Sequence, residues 1–322
     1  MSVSLQTGEL PAVRLERFQV RGIYLSHTAL GLADVRARVL NWVDGERLNT
    51  LVLDLKDEGG RMSFYNSAPE AGRMGAFGQV RFEDFRAFLE DLHRRRVYVI
   101  GRISVFQDGL LAKHKPHFRP KAKGTETRFW LDPFRKEVWN YSLAVARDAA
   151  AAGVDEIQFD HVRFPTEWEI PAAQYAKRNT EANRLRCLTG CLKQARQELE
   201  PLHASFSVEG TPWFRLLAHT EAGRYVESLG GLADCMVVCV LPEENVDSLR
   251  SGYSGDGKKL RVLVRLTDRN NVVLPGRSVV DQARGLIAAC EGAGVGGWIL
   301  SDPASQYAFS KAVLAEILAP PH

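Results

Sequence analysis

The chain is poor in the features that mark several large protein classes. Its five cysteines, Cys187, Cys191, Cys235, Cys239 and Cys290, are odd in number and follow no regular framework, which argues against a disulfide-stapled secreted domain. Cys187 and Cys191 are spaced as one helical turn, and Cys235 and Cys239 fall on one face of a strand. Such pairs are poor zinc geometry, so they read as reduced core thiols and no metal is expected. No apolar run approaches the ~18 residues that span a bilayer, so no membrane partner is expected. The first 21 residues lack a basic-then-apolar signal pattern. The expectation is a soluble, cytoplasmic chain, or a secreted or periplasmic one if a leader has been removed. The charge is nearly balanced, 42 basic against 39 acidic residues. The one dense basic run, Lys113, His114, Lys115, His117, Arg119, Lys121 and Lys123, has no aromatic interleaving, so no nucleic-acid partner is expected. It reads as a solvated loop, with an anion or acidic-polymer contact as the alternative. No cofactor motif is present: Tyr24-Leu25-Ser26-His27 is not the Gly-rich phosphate turn that a doubly wound nucleotide-binding sheet requires after its first strand.

What is present is alternation. With 45% hydrophobic and 25% charged residues, 322 residues suffice for a large core. Short runs rich in Val, Ile and Leu predict strands near 20–25, 50–55, 97–105, 156–160, 204–208, 234–240, 261–266 and 297–300. Amphipathic stretches predict helices near 32–43, 82–95, 136–152, 173–200, 215–228, 244–251, 278–292 and 305–318. In the second of these, Phe82, Phe85, Phe88, Leu89 and Leu92 recur at helical spacing. Eight such strand–helix units with strands apolar on both faces predict an α/β fold, a (β/α)8 TIM barrel over 19–320 behind an N-terminal extension of residues 1–18. Glycine in Ala151-Ala152-Gly153-Val154 and Ala293-Gly294-Val295 sits where a left-handed helix cap is needed. The long βα loops follow strands two, three and four and should rise over one mouth.

In such barrels the C-terminal strand ends form the active site. Asp160, in Glu156-Ile157-Gln158-Phe159-Asp160-His161-Val162-Arg163-Phe164-Pro165, ends a strand otherwise built for burial, where a charge needs a partner. Arg163 is the expected one, and His161 should point away. Glu209, in Ser207-Val208-Glu209-Gly210, ends the next strand. Adjacent strand ends lie ~5 Å apart, a separation that suits a retaining glycosidase pair; capping of the following Trp213 segment is the other reading of Glu209. Alternation places Asp54 and Lys56 on one side, and with Asp57 they divide between substrate binding and loop anchoring. Asp268 is either a third acid or part of a turn. Trp130, Trp168, Trp213 and Tyr65 lie in or beside mouth loops and could stack on sugar rings, with packing as the alternative. Trp298 is either core or pocket floor, and His27 could bond a substrate hydroxyl.

Arg21-Gly22-Ile23-Tyr24, Leu51-Val52-Leu53-Asp54-Leu55-Lys56-Asp57, Val97-Tyr98-Val99-Ile100-Gly101-Arg102-Ile103, the stretch from Trp130 to Trp139, and Asp155 to Pro165 together resemble a bacterial family of glycoside-hydrolase-like TIM barrels related to the α-amylase-like enzymes. The resemblance spans about 21–165 strongly and continues beyond as strand rhythm. It implies a carbohydrate substrate, Asp160 as nucleophile, Glu209 as acid/base and Asp268 as transition-state stabiliser. Asp54, Lys56, Asp57, Arg102, Arg163, His27 and the tryptophans would contact substrate. The second half departs from the family pattern: Glu209 stands where an aspartate is usual, Cys239-Val240-Leu241-Pro242 replaces a Pro-Met-x-Tyr-Pro stretch, and Trp298 is not followed by asparagine. The expectation is therefore a retaining glycoside hydrolase acting on a polysaccharide or oligosaccharide. A carbohydrate-binding barrel without turnover is the alternative. A phosphate-handling isomerase or aldolase is disfavoured, since Gly294-Val295-Gly296-Gly297 precedes the last strand and no strand carries a Schiff-base lysine. Oligomeric state is not legible.

Overall fold

Eight parallel strands in sequence order close on themselves in a computed structural model of the chain, β1 pairing with β8. The structure describes residues 19–45, 47–122, 129–165, 170, 172–210, 231–240, 256–266, 277–301 and 316–319. The strands are β1 (Val20–Leu25), β2 (Thr50–Lys56), β3 (Tyr98–Ser104), β4 (Glu156–Asp160), β5 (Ser205–Gly210), β6 (Cys235–Val240), β7 (Leu260–Arg265) and β8 (Gly297–Ser301). The described helices are α1 (His27–Leu30), α2 (Ala33–Asp44), α3 (Phe85–Arg94), α4 (Gly109–His114), α5 (Lys136–Ala152), α6 (Glu181–Leu199) and α7 (Arg277–Gly292). All eight strands fall where the alternation predicts them. The helices expected at 215–228 and 244–251, and most of that at 305–318, lie outside the described residues, as does the extension 1–18.

The helix boundaries follow local capping chemistry. Asp84 accepts from the amide of Ala87 and starts α3 three residues later than its apolar spacing implies. Thr180 accepts from Asn183 N and starts α6 at Glu181, so 173–179 is loop, tied by an antiparallel bridge between Lys121 and Gln174. Part of the basic run is helical: α4 is capped by Asp108 and ends in Lys113 and His114. Gly153 closes α5 at φ 114°, the left-handed cap its position predicts. All five cysteines are free thiols, four of them buried. No described helix is long and apolar enough to cross a membrane.

Strand alternation sends one set of side chains outward to the helices and one inward. Val20, Val52, Tyr98, Ile100, Val237, Cys239, Leu263 and Ile299 fill the interior as one cluster. At its N-terminal end a charged group is sealed in. Glu156 accepts from Tyr98 Oη at 3.0 Å and from Arg261 Nη1 at 2.6 Å, with all three residues buried. Removing one partner of such a pair leaves the other charge uncompensated. Glu156→Ala is expected to destabilise the fold by about 3–5 kcal/mol in a denaturant titration; a change below ~1 kcal/mol would show that water already reaches the floor.

Candidate active site

The same inward-facing rows carry polar groups toward the C-terminal mouth: Asp54 on β2, Arg102 on β3, Gln158 and Asp160 on β4, Glu209 on β5. The pairing of Arg102 with Gln158 and of Phe159 with Val208 puts Asp160 and Glu209 at one level on neighbouring strands. They line a pocket of about 420 Å³ together with Tyr24, His27, Asp57, Glu58, Arg61 and His161.

One guanidinium organises the centre. Arg102 is buried and donates through Nη1 to Asp54 Oδ1 at 2.8 Å and through Nη2 to both Glu58 and Asp160, while its Nε lies 3.7 Å from Glu209 Oε2. Its far face lies over the Tyr24 ring. Arg102, expected to bind substrate, thus directs its described bonds to carboxylates. The cation beside Asp160 is Arg102, in place of the expected Arg163. The Arg163 guanidinium lies 4.5 Å from the Trp130 ring centroid and donates to the carbonyl of Phe164.

His161 also departs from expectation. Alternation would aim it away, but at φ 56° the chain has left strand geometry. The imidazole turns back so that Nδ1 lies 3.1 Å from Asp160 Oδ2, and the His161 amide donates to Asp160 Oδ1. Burial by itself would raise the Asp160 carboxyl. The charges of His161 and Arg102 and the bonds from His161 outweigh it and hold Asp160 well below the usual carboxylate range. Reciprocally, burial disfavours charge on His161, but Asp160 raises its pKa.

Glu209 is driven the opposite way. Burial, reinforced by the charge on Asp160, pushes its carboxyl up to about 8, against the pull of Arg102. It accepts from Gln158 Nε2 at 2.7 Å. Burial likewise raises Asp54 to about 6 despite Arg102; this carboxylate accepts from Tyr24 Oη at 3.1 Å and from the His27 amide. Two neighbouring carboxyls in opposite protonation states are the arrangement that acid–base chemistry at neutral pH requires.

The β2 loop is anchored rather than open. A register shift between Asp54 and Lys56 breaks the alternation. Lys56 therefore does not pair with Asp54 but bonds Asp108 at 2.9 Å, both side chains fully buried. Asp108 also caps α4, tying the loops after β2 and β3 together. Asp57 accepts from the Arg61 amide and side chain across a tight turn. That turn delivers Glu58, which the sequence reading passed over. Glu58 completes a cluster with Asp160 and His161 whose ligand atoms lie within 4.8 Å of one another. The Arg102 guanidinium already bridges two of the three, supplying the positive charge there.

The tryptophans divide. Trp130 is 1% exposed and packs edge-on against His161 under Arg163, so it supports the site rather than offering a face to sugar. Trp298 is buried on the helix-facing side of β8, its indole N–H toward Glu291, and does not line the pocket. Trp168, Trp213 and Asp268 lie outside the described residues. Tyr65 is exposed beside Phe77, away from the pocket lining. His27 lines the pocket. Gln158 and Tyr24, also missed, are interior positions of strands that the alternation located; neither residue type announces itself in sequence.

Comparison with known proteins agrees with this architecture. No curated protein matches the chain. A hypothetical protein from Ruminiclostridium thermocellum is 26% identical over 58% of this chain and 96% of its own, with a TM-score of 0.51. The PgaB (BpsB) glycoside hydrolase domain from Bordetella bronchiseptica aligns over 94% of this chain and all of its own, at 11% identity and TM-score 0.68. Aspergillus fumigatus Ega3, solved with galactosamine, aligns over 91% and 95% of the two chains at 12% identity and TM-score 0.53. At 11–12% identity the shared property is the fold. The DUF4015 family model, described as "Putative glycosyl hydrolase domain", matches residues 22–245. The match covers most of the chain and every strand from β2 to β6, so the protein belongs to this glycosyl hydrolase domain family.

Proposed function

We propose that the protein is a retaining glycoside hydrolase in which Asp160 is the nucleophile and Glu209 the acid/base. The observation that carries this reading is the placement of two carboxyls at adjacent strand ends around one guanidinium, surroundings that favour the ionised form of Asp160 and the protonated form of Glu209. In the first step Asp160 attacks the anomeric carbon while Glu209 gives its proton to the leaving oxygen. In the second, Glu209 takes a proton from water, which displaces Asp160 from the sugar. Asp160 accepts two described hydrogen bonds, from Arg102 and from the His161 amide, with His161 Nδ1 3.1 Å from Oδ2, against about four lone-pair positions on a carboxylate. Oδ1, bonded only by the His161 amide, has room to attack. The Glu209 bond from Gln158 fixes one oxygen and leaves the other to carry the proton.

The substrate is a polysaccharide or oligosaccharide. Several barrels of this fold were solved with amino sugars, galactosamine in Ega3 and N-acetylglucosamine in a Vibrio harveyi enzyme, so hexosamine polymers head the set to be screened. The pH profile tests the acid. Activity requires protonated Glu209, so kcat/KM should fall as pH rises through about 8. Glu209→Gln should lower kcat/KM about 10²–10⁴-fold and abolish that alkaline limb. An unchanged limb in the variant would remove Glu209 from the acid role. A barrel that binds glycan without cleaving it remains the second reading, favoured by the dense bonding of Asp160; it requires tight binding with no product over long incubation.

A further inference from the structure

The turn after β2 brings Arg61 to the pocket, on a side that the chemistry proposed above does not use. Its Nε and Nη2 each lie 2.6 Å from one oxygen, Asp57 Oδ2. A guanidinium has five N–H donors, so three remain, and among the described residues nothing else takes them. Nor are they sealed in: the Arg61 side chain is 48% exposed, while that of its partner Asp57 is 4% exposed. Thr28, exposed on the same lining, adds a hydroxyl donor.

The charge around Arg61 is one-sided. Arg81 donates through Nε to the His27 carbonyl at 2.9 Å. Burial, and after it the charges of Arg61 and Arg36, lower the Arg81 pKa, so the three guanidiniums stand within one another's fields. Among the described residues Asp57 is the carboxylate that opposes them there. His27 adds no charge, since burial and the charge of Arg81 lower its pKa to about 4. Three other acids of the lining belong to a different centre: Asp54, Glu58 and Asp160 all bond Arg102. Like charges gathered at one wall repel, and an anion bound among them relieves that repulsion. A half-exposed guanidinium with donors to spare grips such a group through paired hydrogen bonds.

We infer that Arg61 forms an anion subsite on this wall of the pocket, taking a carboxylate or sulfate substituent of the bound glycan. The substrate class is then an acidic polysaccharide or oligosaccharide, one that contains uronic acid or a sulfated sugar. The inference rests on the carbohydrate reading of the pocket but not on the hydrolytic mechanism.

The test uses the whole protein with ¹⁵N-labelled arginine in about 20 mM salt, where exposed charges are little screened. Glucuronate is compared with glucose, and N-acetylglucosamine 6-sulfate with N-acetylglucosamine; inorganic sulfate is the probe without a sugar. One acidic sugar should bind at least about tenfold more tightly than its neutral counterpart and shift the Arg61 Nε–H resonance. The pair that shows the preference tells carboxylate from sulfate. Arg61→Gln should bring that ratio to within about twofold. Raising the salt to about 0.5 M should narrow the ratio in the wild-type protein, a measurement that serves even where Arg61→Gln does not fold. A preference that survives in Arg61→Gln, or no binding by any probe, would overturn the inference. Equal affinities within both pairs would also overturn it, while leaving the carbohydrate reading in place. Inorganic sulfate that shifts Arg61 when no sugar binds has the reverse meaning: the anion subsite stands and the carbohydrate reading falls.

Discussion

Replacing Asp160 by asparagine is expected to lower glycan hydrolysis by at least about 10⁴-fold, the scale on which loss of a nucleophile acts. The substitution keeps the side-chain shape but removes the negative charge that the site is arranged to hold. Arg102 and the His161 amide donate to this carboxylate, and His161 Nδ1 lies 3.1 Å from it. An asparagine must turn its own NH2 toward one of them, so some loss of stability accompanies the loss of activity. Steady-state kinetics on a responsive glycan, with circular dichroism as the control for folding, separates the two. Turnover within tenfold of wild type would show that Asp160 is a structural ion-pair member. Trapping with an activated fluoro-sugar gives the complementary measurement: a covalent adduct on Asp160 eliminates the binding-barrel reading and fixes the retaining course.

The second large effect belongs to Arg102. Arg102→Met removes the charge that buried Asp54 and Asp160 and partly exposed Glu58 share at the pocket. The expected destabilisation at pH 7 is about 3–5 kcal/mol, the range found when one partner of a buried pair is deleted. The pH dependence distinguishes this from simple loss of packing. In the wild-type protein the folded pKa of Asp160 is depressed. That group contributes stability present above its unfolded pKa of about 3.9 and lost as pH falls through the folded value. Without Arg102 the attraction that opposes burial at Asp54, Glu58 and Glu209 is lost and their folded pKa values rise, while His161 still acts on Asp160. Relative to wild type, the variant is then least handicapped at or below the unfolded value and loses stability as pH rises toward neutrality. Denaturant midpoints for both proteins at pH 4, 6 and 8 should diverge with rising pH. Parallel curves would mean that water or a counter-ion replaces the guanidinium. Activity should fall as well, because Asp160 would lose one of the two charges that hold it ionised, and Glu209 the attraction that now limits its rise.

The barrel and its working end are local properties of the chain. Strand spacing, the apolar runs and the glycine at the end of α5 are each read within a dozen residues. Eight repeats of one unit leave few ways to bury so many two-faced strands. For the same reason Asp160 and Glu209 stand out: a carboxyl at the end of a buried strand is anomalous wherever the strand goes. The side-chain partnerships are another matter. Asp160 is partnered from β3 by Arg102, not by Arg163 three residues on, because the stagger between closed strands sets which side chains meet inside the barrel. Lys56 leaves the Asp54 side because a one-residue register shift cancels the alternation on which its placement was based. His161 returns to Asp160 because its backbone adopts a positive φ that no sequence pattern announces. Glu58 enters the site on a turn whose shape depends on Asp57, Arg61 and the Lys56–Asp108 anchor behind it.

By itself, then, the sequence determined the barrel, the mouth at which its chemistry lies and the two carboxyls at adjacent strand ends, since periodicity and burial cost act along the chain. Which of those carboxyls is charged was decided only by the tertiary structure. A pKa answers to the field at one point in space, and that field is set by Arg102 and His161 at Asp160 and by partial burial beside the Asp160 charge at Glu209.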